Sequence, residues 1–449
     1  MNTLYQTPTD FAAYLEKYLR SRRRPISVDL RVLTTIAEVL FDASLQSEEG
    51  RHITCHFSYL DPDHPDPKPP RRIVKNRWNV IPLGTPLPFS TANITKLALA
   101  TDLRSSSLAI YADKRRQPFI WGLIDQANQS YAFSLFESSS GLALPGLFHL
   151  SILGTAHISA SAGFVRVAEL QRGSLIHEAL AVLEGGPVRD LLQPGIDSAI
   201  ARIRARVSPD TYNARGHWDA SVTWDWLRTL ARLLNRIQSY GHGGAILITT
   251  NFSPVHLNIK YAASYPRLRV ALEDATSSSI LTTAASDEIF GFLDRHAEEI
   301  PAYLYLDESV EQSEARDSHL ALAGALWFVS LLSRVDGLVL MQPDLSVVGF
   351  GVEITCPDAP PEVFIARDRD ATEKRLKPQS YEHFGTRHRS MMRYCYHVPG
   401  SLGFVVSQDG HVRAITRLGT RVVIWENLLL RWDAFAKVRR RRARPTGAT

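Results

Sequence analysis

The chain has 449 residues, 45% of them hydrophobic and 22% charged, with a formal net charge of +5. That composition excludes a disordered or collagenous protein, and the length predicts two or three domains with substantial cores. The positive excess is gathered in two short runs, RSRRRP (20–25) and KVRRRRARP (437–445), which read as solvated segments rather than a nucleic-acid footprint.

In chain order, Thr9 or Asp10 caps a helix in which Phe11, Tyr14, Leu15, Tyr18 and Leu19 recur at helical spacing. A second helix is predicted over about Val28 to Gln46, and His52 to Leu60 alternates as a strand. Five prolines within residues 61–72 make an extended loop. From Trp78 to Ala168 the pattern is mainly β, in the runs SLAIYAD, FIWGLID, YAFSLFE and LFHLSILG. SLIHEALAVLEG (174–185) and SVTWDWLRTLARLLNRIQSYG (221–241) read as helices. The second offers Trp224, Leu227, Leu230, Leu233, Leu234 and Ile237 as a buried stripe, and GHGGAILITTN then turns into a buried strand.

A last unit begins near Ser286 with the helical SDEIFGFLDRHAEEI. Asp317 or Ser318 then caps an apolar helix running to Arg334. VDGLVLMQPDLSVVGFGVEI (335–354) gives two strands about a QPDL turn, and residues 367–380 form a polar loop. GTRHRSMMRYCYH is a helix, and SLGFVVSQDGHVRAITR a strand pair turning at Asp409-Gly410. The mixture predicts an α/β or α+β fold.

Cys55, Cys356 and Cys395 are widely spaced and form no CxxC, which excludes a zinc ribbon or a disulfide framework and fits a reducing cytoplasm. The first residues lack a signal-peptide layout, and the longest apolar run, 320–332, is too short to span a bilayer. A cytoplasmic protein without a membrane span is expected.

Two places carry chemistry. Arg387, His388 and Arg389 stand on the first turn of a helix, behind Gly385-Thr386. The macrodipole is positive there, so fixed cations are unfavourable unless an anion is near; free N–H groups and two guanidinium forks make a phosphate cradle. Asp336-Gly337 opens a buried strand about fifty residues earlier, an acidic group beside a glycine that lets backbone approach closely. Together they suit a nucleotide and a hard cation, Mg²⁺ or Mn²⁺. A zinc site from His383, His388, Cys395 and His397 fits no familiar ligand layout.

The segments DGLVL, GTRHRSM and LGFVVSQDGHV resemble the diadenylate cyclase (DAC) domain, whose signatures are DGA and GTRHR. FDASLQSEEGR (41–51) and IWGLIDQANQSYAF (120–133) resemble the DACNV sensor region found ahead of some DAC domains. The resemblance implies a sensor region over 1–285, of one or two subdomains, whose ligand the sequence leaves open. It implies a DAC domain over 286–436, with a central mixed sheet flanked by helices, and a basic tail over 437–449. Two ATP would become cyclic di-AMP and two pyrophosphates, in a homo-oligomer with DAC domains face to face. Asp336 would be catalytic and a metal ligand, with Asp409 as a second. Gly337, Leu338, Gly385, Thr386, Arg387, His388, Arg389 and Ser407 would bind ATP. Leu338 replaces the family's common Ala and Gln408-Asp409 its SEE glutamates. Two alternatives stand beside this: a degenerate DAC domain that binds ATP or cyclic di-AMP as a sensor, and a nucleic-acid-binding module.

Overall fold

The computed structural model describes residues 5–21, 28–64, 79–103, 105–125, 148–162, 165–176, 179–213, 217–240, 242–295, 299–407 and 411–430. Both basic runs of the sequence, save Arg20 and Ser21, the YAFSLFE segment and Gln408 to Gly410 lie outside these residues. The fold is mixed α/β, in two compact units that divide between residues 178 and 179.

In the N-terminal unit, helices α1 (Pro8–Ser21), α2 (Leu30–Ser44) and α3 (Thr91–Ala98) accompany ten strands. The short β1 (Ser47–Glu48) and β2 (Arg51–His52) pair with each other. Eight others form one sheet: β3 (Cys55–Tyr59), β4 (Asn79–Pro88), β5 (Ser106–Ala112), β6 (Pro118–Asp125), β7 (Phe148–Gly154), β8 (His157–Ala162), β9 (Val165–Gln171) and β10 (Ser174–Ile176). Their order is β10-β9-β8-β7-β3-β5-β6-β4, with β3 and β5 parallel. The apolar stripes of α1 and α2 cover one face, where Phe11, Leu15, Leu33, Ile36 and Leu40 meet Phe57, Ile110 and Leu150.

Three expectations change here. α1 begins a turn earlier than read: the Thr7 hydroxyl accepts from the Asp10 N–H at 3.3 Å while the Asp10 carboxylate accepts from the Thr7 N–H at 2.8 Å, a reciprocal capping box. α3 interrupts the β region, capped by Ser90, whose side chain accepts from the Asn93 N–H. Residues 174–176 are a strand rather than helix, because pairing with β9 takes their backbone groups.

The second unit holds α4 (Pro187–Arg206), α5 (Pro209–Asn213), α6 (Trp218–Ser239), α7 (Arg267–Arg295), α8 (Ala302–Leu332) and α9 (Thr386–His397). Its strands are β11 (Gly244–Ile248), β12 (Leu257–Tyr265), β13 (Leu338–Met341), β14 (Val347–Ile354), β15 (Val363–Ala366), β16 (Leu376–Pro378), β17 (Leu402–Val406), β18 (Val412–Leu418) and β19 (Arg421–Trp425). They form one mixed sheet ordered β12-β14-β13-β11-β17-β18-β19-β15-β16. Alternate residues serve opposite faces. Ile246, Val339 and Phe404 pack with the apolar sides of α4, α6, α7 and α8, whereas Ala245, Leu338 and Val405 pack with Met391, Met392 and Cys395 of α9.

The expected boundary at 285/286 falls inside α7, and β11 sits near the middle of the nine-stranded sheet, so residues 179–285 belong to the second unit. α8 starts at Ala302, which puts Asp317 mid-helix instead of at a cap. In α6 the most deeply buried tryptophan is Trp226, at 1% exposure, while Trp224 lies at the rim. Among the described residues, no helix is long and apolar enough to cross a membrane.

Candidate functional site

The registers gather the expected residues at one end of the nine-stranded sheet. β13 runs parallel to β11 with Val339 opposite Ile246, so Asp336-Gly337 lies just beyond the start of β11. β17 runs antiparallel to β11 with Val406 opposite Gly244, which brings Ser407 to that same end. α9 lies along the sheet. Its His388 reaches Arg413, which pairs with Val405 near this end, while its Tyr394 hydroxyl donates to the Asn251 carbonyl at the far end. The N-terminus of α9 therefore shares the end occupied by Asp336 and Ser407.

Asp336 is exposed, in the short bend that joins α8 to β13. Gly337 has φ 111°, a left-handed conformation that L side chains rarely adopt, and a Cβ there would stand 2.6 Å from the Gly351 carbonyl carbon. The glycine is required by this backbone approach between β13 and β14. Leu338 turns its side chain into the core beside α9 and is 5% exposed, so its added bulk relative to Ala is taken up by packing. Next to Asp336, the Lys260 ammonium pairs with Glu353 and the Tyr261 ring stacks on Phe350 at 4.9 Å. Glu353 and Asp336 both hold the lysine pKa up, Glu353 the more strongly.

No side chain caps the first turn of α9, whose N-cap is Gly385. Gly385 and Thr386 are exposed and Arg387 is half-buried. Arg389 reaches back to Glu382 at 3.1 Å. His388 differs from the cation that the sequence suggested. It is buried against the sheet, with Nε2 3.0 Å from Arg413 Nη1, and Arg413 Nε donates to Glu426 at 3.0 Å. Burial first, then Arg413 and Arg387, push its pKa down to about 4, so the imidazole is neutral and accepts from the guanidinium. The triplet therefore contributes two cations and one neutral anchor. Ser407 closes the β17–β18 hairpin: its hydroxyl accepts from the His411 N–H at 3.2 Å and donates to the His411 carbonyl at 3.3 Å. Asp409 lies outside the described residues.

Cys395, His388, His383 and His397 do not converge. Cys395 is buried with its thiol directed at the Ile415 carbonyl and its pKa raised to about 12 by burial. Among the described residues, no group of three His, Cys, Asp or Glu could hold a metal ion. One exposed carboxylate fits a hard cation that completes its shell with phosphate oxygens and water; it does not fit a closed protein site. A cavity of about 300 Å³ at the opposite end of the sheet, lined by Ser198, Thr250, Phe252, Gln342 and Asp344, contains none of the expected residues.

Sequence reasoning missed Lys260, Tyr261, Glu353, Arg413 and Glu426. They come from strands whose neighbours are fixed by sheet order, and no local motif marks them. The GFG at Gly349 to Gly351 was the one available signal for the glycine contact.

No curated protein and no solved structure matches the chain. Residues 26–125, from just before α2 through β6, match the family described as a probable sensor domain, DACNV.

Proposed function

We propose that the second unit is a diadenylate cyclase whose output the N-terminal sensor region controls. The observation that carries this reading is the convergence of Asp336-Gly337 and the uncapped, arginine-bearing N-terminus of α9 at one sheet end. Cyclisation of two ATP requires each 3′-hydroxyl to attack the α-phosphorus of the other nucleotide, with pyrophosphate leaving. Asp336, exposed in the bend between α8 and β13, serves the hydroxyl side. Arg387, Arg389 and the N–H groups of the α9 first turn hold the phosphates. His388 fixes the helix to Arg413 and sets the direction of both arginines. Asp336, with Asp409, would hold Mg²⁺ or Mn²⁺, which supplies a lowered hydroxyl pKa and screening of phosphate charge. The reaction is symmetric, so two copies must face each other with one ATP apiece.

The binder-only alternative rested on Leu338 crowding the nucleoside, and its side chain is buried in the core instead. The nucleic-acid alternative leaves the exposed carboxylate unexplained.

The test is incubation of the full chain with ATP and Mn²⁺ or Mg²⁺, with products resolved by mass spectrometry. Cyclic di-AMP from wild type and at least about 100-fold less from Asp336→Asn is the expected result. ATP binding that depends on Arg387, with no cyclic product under any metal, would leave a sensor. An absence of nucleotide binding would remove the phosphate-cradle reading altogether.

A further inference from the structure

α7 and α8 form an antiparallel hairpin joined by side-chain contacts along its length, Ser279 to His319 at 3.2 Å and Ser286 to Glu308 at 2.6 Å among them. The face of α8 turned toward α7 and the sheet is buried through Leu322, Leu326 and Val329. The opposite face is apolar as well. Tyr303, Leu306, Val310, Leu320 and Trp327 lie on it, each between 49% and 64% exposed, with the Arg236 guanidinium of α6 stacked 4.1 Å from the centre of the Trp327 ring and leaving the rest of that ring open. These residues fall on alternating steps of three and four, the seam of a two-helix coil, and Ser313, Asp317 and Gly324 fill the remaining steps. An apolar stripe of this length on a protein surface marks an interaction site.

We propose that this face pairs with the same face of a second copy, in antiparallel register about residue 315. The order of residues along the stripe argues for that occupant, because it is symmetric: apolar at both ends and polar in the middle. Antiparallel pairing sets Tyr303 against Trp327, Leu306 against Gly324, Val310 against Leu320 and Ser313 against Asp317, each layer occurring twice. Leu306 meets the space left by Gly324, and the Ser313 hydroxyl meets the Asp317 carboxylate, a polar layer that fixes register. Parallel pairing would stack Gly324 on Gly324 and bring the two Asp317 carboxylates together. A partner of unrelated sequence gives no reason for the symmetry. At 1.5 Å per residue the register holds the two Asp336 residues about 60 Å apart. This contact is therefore a different two-fold from the face-to-face pairing of the cyclase reading, and it stands whether or not that reading holds.

The test is sedimentation equilibrium of the full chain and of the L306D/L320D variant. Both positions are exposed, so the thermal unfolding midpoint should stay within a few degrees of wild type. The variant should sediment at half the wild-type mass. A monomeric wild type, or an unchanged mass in the folded variant, overturns the proposal. Spin labels read the orientation, since Cys55, Cys356 and Cys395 are buried. Labels at position 303 should lie about 40 Å apart and labels at 313 within about 15 Å. Short distances at both positions mean a parallel pair and also overturn it.

Discussion

The two ends of the nine-stranded sheet handle charge in opposite ways. At the far end Glu273 is fully buried, and Arg202, Arg206 and Arg269 converge on it, with Asp344 behind. Each charge of this cluster has its partner within it. At the near end Arg389 and Lys260 have carboxylate partners, but Asp336 is exposed, the first turn of α9 has no side-chain cap, and Arg387 stands half-buried next to a neutral histidine. An ionic cluster closed on itself stabilises the fold, whereas groups of both signs left open toward solvent at one edge are suited to a charged ligand. Charge density alone would have ranked the two ends the other way round.

The largest effect that separates the ends comes from Glu273→Gln. Removing the charge leaves three guanidinium groups, each partly exposed, around a neutral amide. The expected loss is about 3–5 kcal/mol of unfolding free energy, read by urea denaturation. The cyclase activity proposed for the near end should not change per folded molecule. A variant as stable as wild type, or one that loses turnover while folded, would erase the contrast.

Leu338→Ala probes the near end at the point where the sequence and the structure part. The leucine departs from the residue that the DAC resemblance leads one to expect, and in the sequence its bulk falls beside a nucleoside. In the structure its side chain packs with α9 in the sheet core. The substitution should cost about 3 kcal/mol by opening a cavity and bring no gain in product formation. More of the proposed cyclic product at unchanged stability would place that side chain in the site after all.

What was legible in the sequence follows the same division. Local signals carried the strands β11, β13, β14 and β17, the helix α9, and the Asp336 and Arg387 positions. α4 was hidden by Pro194-Gly195 at its middle. That glycine is demanded by a neighbour distant in sequence, the Pro343 carbonyl, which leaves no room for a Cβ. The first half of α7 was masked by its serines and threonines, weak helix formers whose hydroxyls here donate to carbonyls four residues back, as Ser279 does to Ala275 and Thr283 to Ser279. The domain boundary failed for that reason, since missing α4 and the start of α7 left β11 looking like part of the sensor region. The outward stripe of α8 could not be told from a buried one in the sequence, because hydropathy reports apolar residues without reporting which face finds a partner.

His388 gives the smallest effect and the finest test of the near end. RHR suggests three cations, and the structure makes the middle one a neutral acceptor for Arg413. The folded pKa of about 4 lies below the ordinary value of 6.5. Between those values the unfolded chain binds the extra proton, so stability rises with pH there. The contribution is complete above pH 6.5, shrinks as pH falls, and is gone below 4. From pH 7.5 to pH 5 the wild type should lose about 2 kcal/mol from this group. His388→Asn keeps an acceptor for Arg413 but cannot titrate, so its urea midpoint should show a correspondingly shallower fall over the same range. If the two proteins fall in parallel, His388 keeps its ordinary pKa and Arg413 does not hold it neutral, so the near end would gain below pH 6.5 a cation that the structure does not assign to it.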